Sequence, residues 1–137
     1  MPAKALCPRG GILIEKIFYV GVGGFVGANA RYWLGGWISN RYGAAFPYAT
    51  FVINVTGSFI LGLFMTLITE RYIAPSGLSL VVAIGFVGAY TTFSTFEYET
   101  FALVRSGSLL MALLNVVLSV VAGFVAVWLG ARLGQFL

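Results

Sequence analysis

Polar side chains set within uncharged sequence are where this chain could do chemistry, because a hydrogen-bonding group surrounded by hydrocarbon needs a partner, a water or an ion. Thr50, Asn54 and Ser58 follow one another at intervals of four, with Gly57 beside them, so a helix carries them on one side. Asn115 and Ser119 repeat the interval, with Gly123 one turn further. Hydroxyl and amide groups at successive turns suit either the joining of helices or the lining of a hydrated path, and the spacing leaves both open. The densest stretch is Gly85-Phe-Val-Gly-Ala-Tyr-Thr-Thr-Phe-Ser-Thr-Phe96. Glycines followed by the β-branched pair Thr91 and Thr92 weaken a helix, and a break between Gly88 and Thr92 is predicted. Carbonyls released by such a break could hold a cation. Beyond it, Phe93 and Phe96 share a face once helix resumes. An aromatic ring has a positive edge, so two rings turned edge-on attract a small anion without a formal charge. Ordinary packing against lipid or core is the simpler account of two phenylalanines taken alone.

The elements that must position these groups follow from composition. The chain has 137 residues, 60% of them hydrophobic and only 9% charged, whereas a soluble domain carries about 25% charged residues. Four acids and eight bases cannot cover a water-facing surface, so the chain belongs in a lipid bilayer. Histidine is absent, which excludes His-based acid–base catalysis and metal clusters, and the single cysteine, Cys7, allows no intrachain disulfide or Cys-cluster zinc site. An enzyme is not expected. The net charge of +4 comes from bases scattered singly, which read as anchors at the membrane edge rather than as a nucleic-acid surface.

Four long apolar intervals separate the charges: 17–30, continued past Arg31 to 38; 42–69; 72–96; and 106–131. A bilayer core needs about 20 residues of helix, so each interval spans once. The expectation is an all-α membrane protein with four transmembrane helices, the third broken near mid-membrane. Residues 1–137 are expected to form one domain. The intervening pieces hold the turn formers Gly43, Pro47, Pro75, Gly77 and Gly107. The first interval resembles a signal peptide at its start, but apolar sequence resumes with Tyr32, Trp33, Leu34 and Trp37, which points to a retained span. Its glycines, Gly21, Gly23, Gly24, Gly27, Gly35 and Gly36, suit close backbone contact.

With four spans, one side receives Lys4, Arg9, Lys16, Arg71 and Arg132, and the other receives Arg31, Arg41 and Arg105. That bias is too small to fix a direction of insertion. Insertion both ways and a fixed orientation with a poor signal are both compatible with it. A small multidrug exporter also has four spans, but depends on an acid embedded in the membrane, and Glu15 precedes the first apolar run. A non-transporting assembly subunit, whose polar stripes only join helices, is the third class that the residues allow.

Three segments together resemble the CrcB/Fluc family of fluoride channels: Gly23-Gly24-Phe-Val-Gly27-Ala28-Asn-Ala-Arg31-Tyr32, then Thr50-Phe-Val-Ile-Asn54-Val-Thr-Gly57-Ser58-Phe59, then Gly85 to Phe96 ending in Thr-Thr-Phe-Ser-Thr-Phe. They stand in the family's order, and the hexapeptide is highly specific. Ala89 stands where a second glycine is usual, and relative to the family residues 1–14 form an N-terminal extension. The resemblance implies an antiparallel, dual-topology homodimer with two fluoride pathways in the cell membrane. Phe93 and Phe96 would line each pathway, and Asn54 resembles the family's pore-facing donor. Ser119 corresponds to a hydroxyl of the fourth-span polar track, and Asn115 to a position that is often polar. Thr50, Ser94 and Thr95 complete the predicted set. The resemblance also implies a structural Na⁺ at the dimer centre, held by the backbone carbonyls of Gly88 and Thr91 from both subunits. Arg31 matches an arginine towards a vestibule, although a snorkelling role would place it equally well. Glu99 matches an acid near the pore mouth, whose role the sequence leaves open.

Such a channel is passive. Hydrogen fluoride enters cells neutral and ionises inside, and a negative interior drives the anion out with about 2.3 kcal/mol per 100 mV. Fluoride's lost water must be replaced by many weak donors, since a fixed cation would hold the ion too tightly to conduct it.

Overall fold

Helices take up almost all of the described residues, because a backbone in hydrocarbon must satisfy its own hydrogen bonds. The computed structural model describes residues 9–43, 45–71 and 76–137. Helix α1 is Arg9–Tyr42 and α2 is Tyr48–Arg71. A third rod is composite: α3 is the single turn Ser76–Ser79, a π-helical segment covers Leu80–Val87, α4 is Gly88–Tyr90 and α5 is Phe93–Arg105. Helix α6, Leu109–Phe136, completes the fold. No strand occurs among the described residues. Lys4, Cys7, Pro75 and the first eight residues of the predicted extension lie outside them. The rest of that extension, from Arg9, already forms the first turns of α1.

Among the described residues, three segments are long and apolar enough to cross a membrane: Tyr48–Thr69, Gly77–Arg105 and Leu109–Phe136. The third rod therefore runs nine residues beyond the predicted end at Phe96, through Glu97 and Glu99 to Arg105. Charge placement misjudged this end because Glu99 is partly enclosed by protein rather than marking the water boundary. Helix α1, with 34 residues, has ample length, but Asn29, Arg31 and its glycines dilute its apolar character.

Two glycines set the corners. Gly43, at φ +72°, ends α1 with its N–H on the Ser39 carbonyl. Gly107, at φ +78°, closes α5: its N–H bonds the Val104 carbonyl and the Ser108 N–H bonds that of Leu103. This is a Schellman turn, which satisfies the carbonyls left at a helix end and reverses the chain into α6.

The rods pack through small residues. The most extensive contact joins α2 to α6, followed by α1 against the π segment. A Cβ at Gly62 would strike the Val127 carbonyl, and one at Gly130 the Phe59 carbonyl, so the two backbones touch. Gly23 lies against Val81 and Gly27 against Phe86 in the same manner. The predicted contact role thus holds for Gly23 and Gly27. Gly21 and Gly36 face open space within the protomer, because α1 is covered on one side only.

Burial is inverted relative to a soluble domain. Thr50 and Asn115 are buried, whereas Phe25, Trp33, Phe124 and Phe136 are exposed. An apolar exterior around a partly polar interior is the arrangement that a hydrocarbon solvent favours.

Candidate functional site

The third rod breaks where its threonines adjoin. Thr91 (φ −77°, ψ 157°) and Thr92 (φ −150°, ψ 113°) are extended, between α4 and α5. The predicted break is therefore present, at its C-terminal limit and at the middle of the 29-residue segment. Thr91 keeps a helical attachment, its N–H and its hydroxyl both donating to the Val87 carbonyl at 3.0 and 2.9 Å. Thr92 caps α5, its hydroxyl oxygen accepting from the Thr95 N–H. N-cap threonine supplies the acceptor that the first turn of a helix lacks.

Asn54 reaches the break from α2. Its Oδ1 accepts from the Thr92 N–H at 2.8 Å, and its Nδ2 donates to the Thr92 carbonyl at 3.1 Å. One turn on, Gly57 has no side chain where the Thr91 methyl sits. On the other side, the Tyr90 and Thr56 hydroxyls lie 2.9 Å apart, and the Tyr90 ring stacks on Phe86 with centroids 5.5 Å apart.

Beside the break lies a cavity of about 290 Å³, lined by Asn54, Ser58, Thr91, Thr92, Phe93, Phe96 and Ser119, with apolar residues between them. None of its lining residues is ionisable. The predicted residues Asn54, Phe93, Phe96 and Ser119 are thus brought together from α2, α5 and α6. The two rings have centroids 5.8 Å apart and planes inclined by 36°. Phe93 is 69% exposed, which removes packing in the protomer core as an account of it. Neutral donors, hydroxyls and ring edges in an uncharged cavity can contact an anion without trapping it.

Asn115 stands behind this cavity rather than in it. Only 1% exposed, it donates to the Thr100 hydroxyl at 2.8 Å, and Thr100 in turn donates to the Phe96 carbonyl at 2.7 Å. The Ser119 hydroxyl lies 3.5 Å from Asn115 Oδ1. Thr100, which extends the polar track, was legible as the residue one turn after Phe96. Tyr90 and Thr56 carried no spacing signal, and neither did the π segment.

Thr50 is buried one turn from Asn54, with its hydroxyl against the Glu99 carboxylate. Glu99 Oε2 is buried without a hydrogen-bond partner in this chain. Glu99 borders a second cavity, of about 520 Å³, together with Ser39, Phe46, Pro47, Tyr48 and Ser106. Ser94 and Thr95 are exposed and line neither cavity, and the Thr95 hydroxyl accepts from that of Thr92. Arg31 also lies away from both cavities.

The residues predicted to hold a cation fit that chemistry. In an unbroken helix, the amides of Thr92 and Thr95 would bond the carbonyls of Gly88 and Thr91. Both are committed elsewhere, the first to Asn54 and the second to the Thr92 hydroxyl. Gly88 is also exposed on the protomer surface. Two carbonyls freed from helical partners are suitable ligands for a hard cation.

Residues 18–131 match the family described as CrcB-like protein, Camphor Resistance (CrcB). The chain is 48% identical over 120 residues to a protein of Solibacter usitatus named fluoride-specific ion channel FluC, covering 88% of this chain and 98% of the relative. It is 46% identical over 120 residues to a protein of that name from Acidobacterium capsulatum, covering 88% and 96%. A relative from Geotalea uraniireducens, bearing the same name, is 44% identical over 117 residues, covering 85% and 94%. With its spanning helices, its broken third rod and this likeness over nearly its whole length, the chain belongs to the CrcB family of multi-pass membrane proteins.

Proposed function

We propose that this protein is a fluoride-selective channel that lets the anion leave the cytoplasm passively. The observation that carries this reading is the uncharged cavity at the helix break, where Asn54, Phe93, Phe96 and Ser119 converge. The names of the relatives agree with it. Fluoride sheds water on entering and receives in exchange the free Asn54 Nδ2 hydrogen, the Ser119 hydroxyl and the ring edges of Phe93 and Phe96. No single contact is strong, so the ion moves on. Larger halides are refused by a path too narrow for them. The second cavity, bordered by Glu99, serves as the vestibule, with Thr50 buried behind that acid.

The functional unit is an antiparallel homodimer of four-span chains, with α1 as the fourth span. The small charge bias between the two sides and the exposed apolar faces of the protomer support this assembly. At its centre, the carbonyls of Gly88 and Thr91 from each copy would hold Na⁺, whose charge would offset the partial negative charge of those carbonyls.

Fluoride efflux from liposomes holding the purified protein alone tests the function. Selective release of fluoride over chloride is expected. Phe93→Ile and Phe96→Ile are expected to lower the fluoride flux at least tenfold while dimer yield stays near that of the parent. Equal passage of chloride, or undiminished flux in both variants, overturns the assignment.

A further inference from the structure

Asn54 has more to do at the break than an anion donor requires. Both ends of its carboxamide are bonded to the backbone of one residue 38 positions away, its Oδ1 to the Thr92 N–H and its Nδ2 to the Thr92 carbonyl. This is the pair of bonds that a neighbouring strand would supply, and it stabilises the extended conformation at Thr92. Only one Nδ2 hydrogen remains for the cavity that Asn54 also lines. The amide captured by Oδ1 is the one that a continuous helix would return to the Gly88 carbonyl. Without Asn54, Thr92 could relax towards helical geometry, and its N–H would close on that carbonyl.

We propose that Asn54 is a positioning residue for the sodium site, holding the break extended so that the Gly88 and Thr91 carbonyls stay free of their helical amides. The inference rests on the sodium reading above and goes beyond it, by making one side chain serve both ions. The surrounding contacts agree with this division of labour. Thr91 remains tied to Val87, and Tyr90 remains beside Thr56, so the segment before the break is anchored independently of Asn54. Loss of the clamp should therefore loosen the turn at residues 91–92 without unfolding the rod.

The test is retention of ²²Na⁺ by the full-length purified protein after transfer to N-methyl-D-glucamine buffer. Asn54→Ala is expected to release the ion at least ten times faster than the parent. Phe93→Ile, which impairs fluoride contact but leaves the clamp, should release it at the parental rate. Release from Asn54→Ala within twofold of the parent overturns the inference and leaves both the channel and the sodium readings intact. A parent protein that takes up no ²²Na⁺ overturns the inference and the sodium reading together, while fluoride flux still judges the channel. Should Asn54→Ala fail to assemble, amide exchange in the parent decides. The Thr92 amide is expected to exchange at least tenfold faster when sodium is replaced, and an unchanged rate refutes the proposal.

Discussion

Helices α2 and α6 run unbroken for 24 and 28 residues and meet through glycines, backbone against backbone. The rod from α3 to α5 lies in the same small protein, yet it widens into a π segment and then opens at Thr91 and Thr92. The first pair needs no polar side chain at its contact, because each helix satisfies its own backbone and close approach gains dispersion energy. The second must replace what it gives up, and does so with Asn54, Thr92, Thr56 and Tyr90. Structural continuity and chemical availability are thus divided between two regions: one holds the protein together, and the other leaves donors and carbonyls without helical partners.

The sharpest way to break this comparison is at Gly130. A side chain there meets the Phe59 carbonyl, which belongs to backbone and cannot swing aside. Gly130→Val is expected to cost more than about 3 kcal/mol and to abolish the folded fraction seen by size-exclusion chromatography, since overpacking that moves whole helices exceeds the usual range. Gly57→Ala should do less. Its Cβ displaces the Thr91 methyl, and rotation of Thr91 gives up the bond from its hydroxyl to Val87. A loss of about 1–3 kcal/mol in thermal denaturation is expected, with assembly retained and fluoride flux reduced. The smallest effect belongs to Gly123, on the same helix as Gly130, whose added Cβ would find only Ser58 Oγ, at 3.7 Å. Gly123→Ala should leave the melting temperature unchanged or raise it slightly, given the roughly 1 kcal/mol helical preference of alanine. Equal damage at Gly123 and Gly130 would show that α6 does not distinguish its two glycines in this way.

The candidate site was legible in the sequence where it is carried by local pattern. The four-residue spacing of Thr50, Asn54 and Ser58 placed them on one face, and the Gly-rich stretch ending in two threonines located the break. The role of Asn54 as a clamp was not legible, because a residue's partner 38 positions away depends on how two rods are laid together. Asn115 shows the same limit. Its spacing from Ser119 suggested a shared path, but the packing of α6 on α5 turns it to Thr100 and away from the cavity. Nothing in Leu-Val-Val-Ala-Ile-Gly-Phe-Val distinguishes a π segment from an α-helix, since both bury the same apolar residues. The span that ended too early, at Phe96, was misplaced for a related reason: Glu97 and Glu99 were counted as charges before their surroundings were known.

Composition by itself determined the solvent, the helical class and the number of apolar runs, because transferring side chains and backbone into hydrocarbon is an additive property of the residues in order. Tertiary structure alone decided which polar groups remain available. A hydrogen-bonding side chain has few valences, and whether they are spent on a neighbouring backbone, as at Asn54, spent on another side chain, as at Asn115, or brought to a cavity wall, as at Ser119, is settled only when the rods come together.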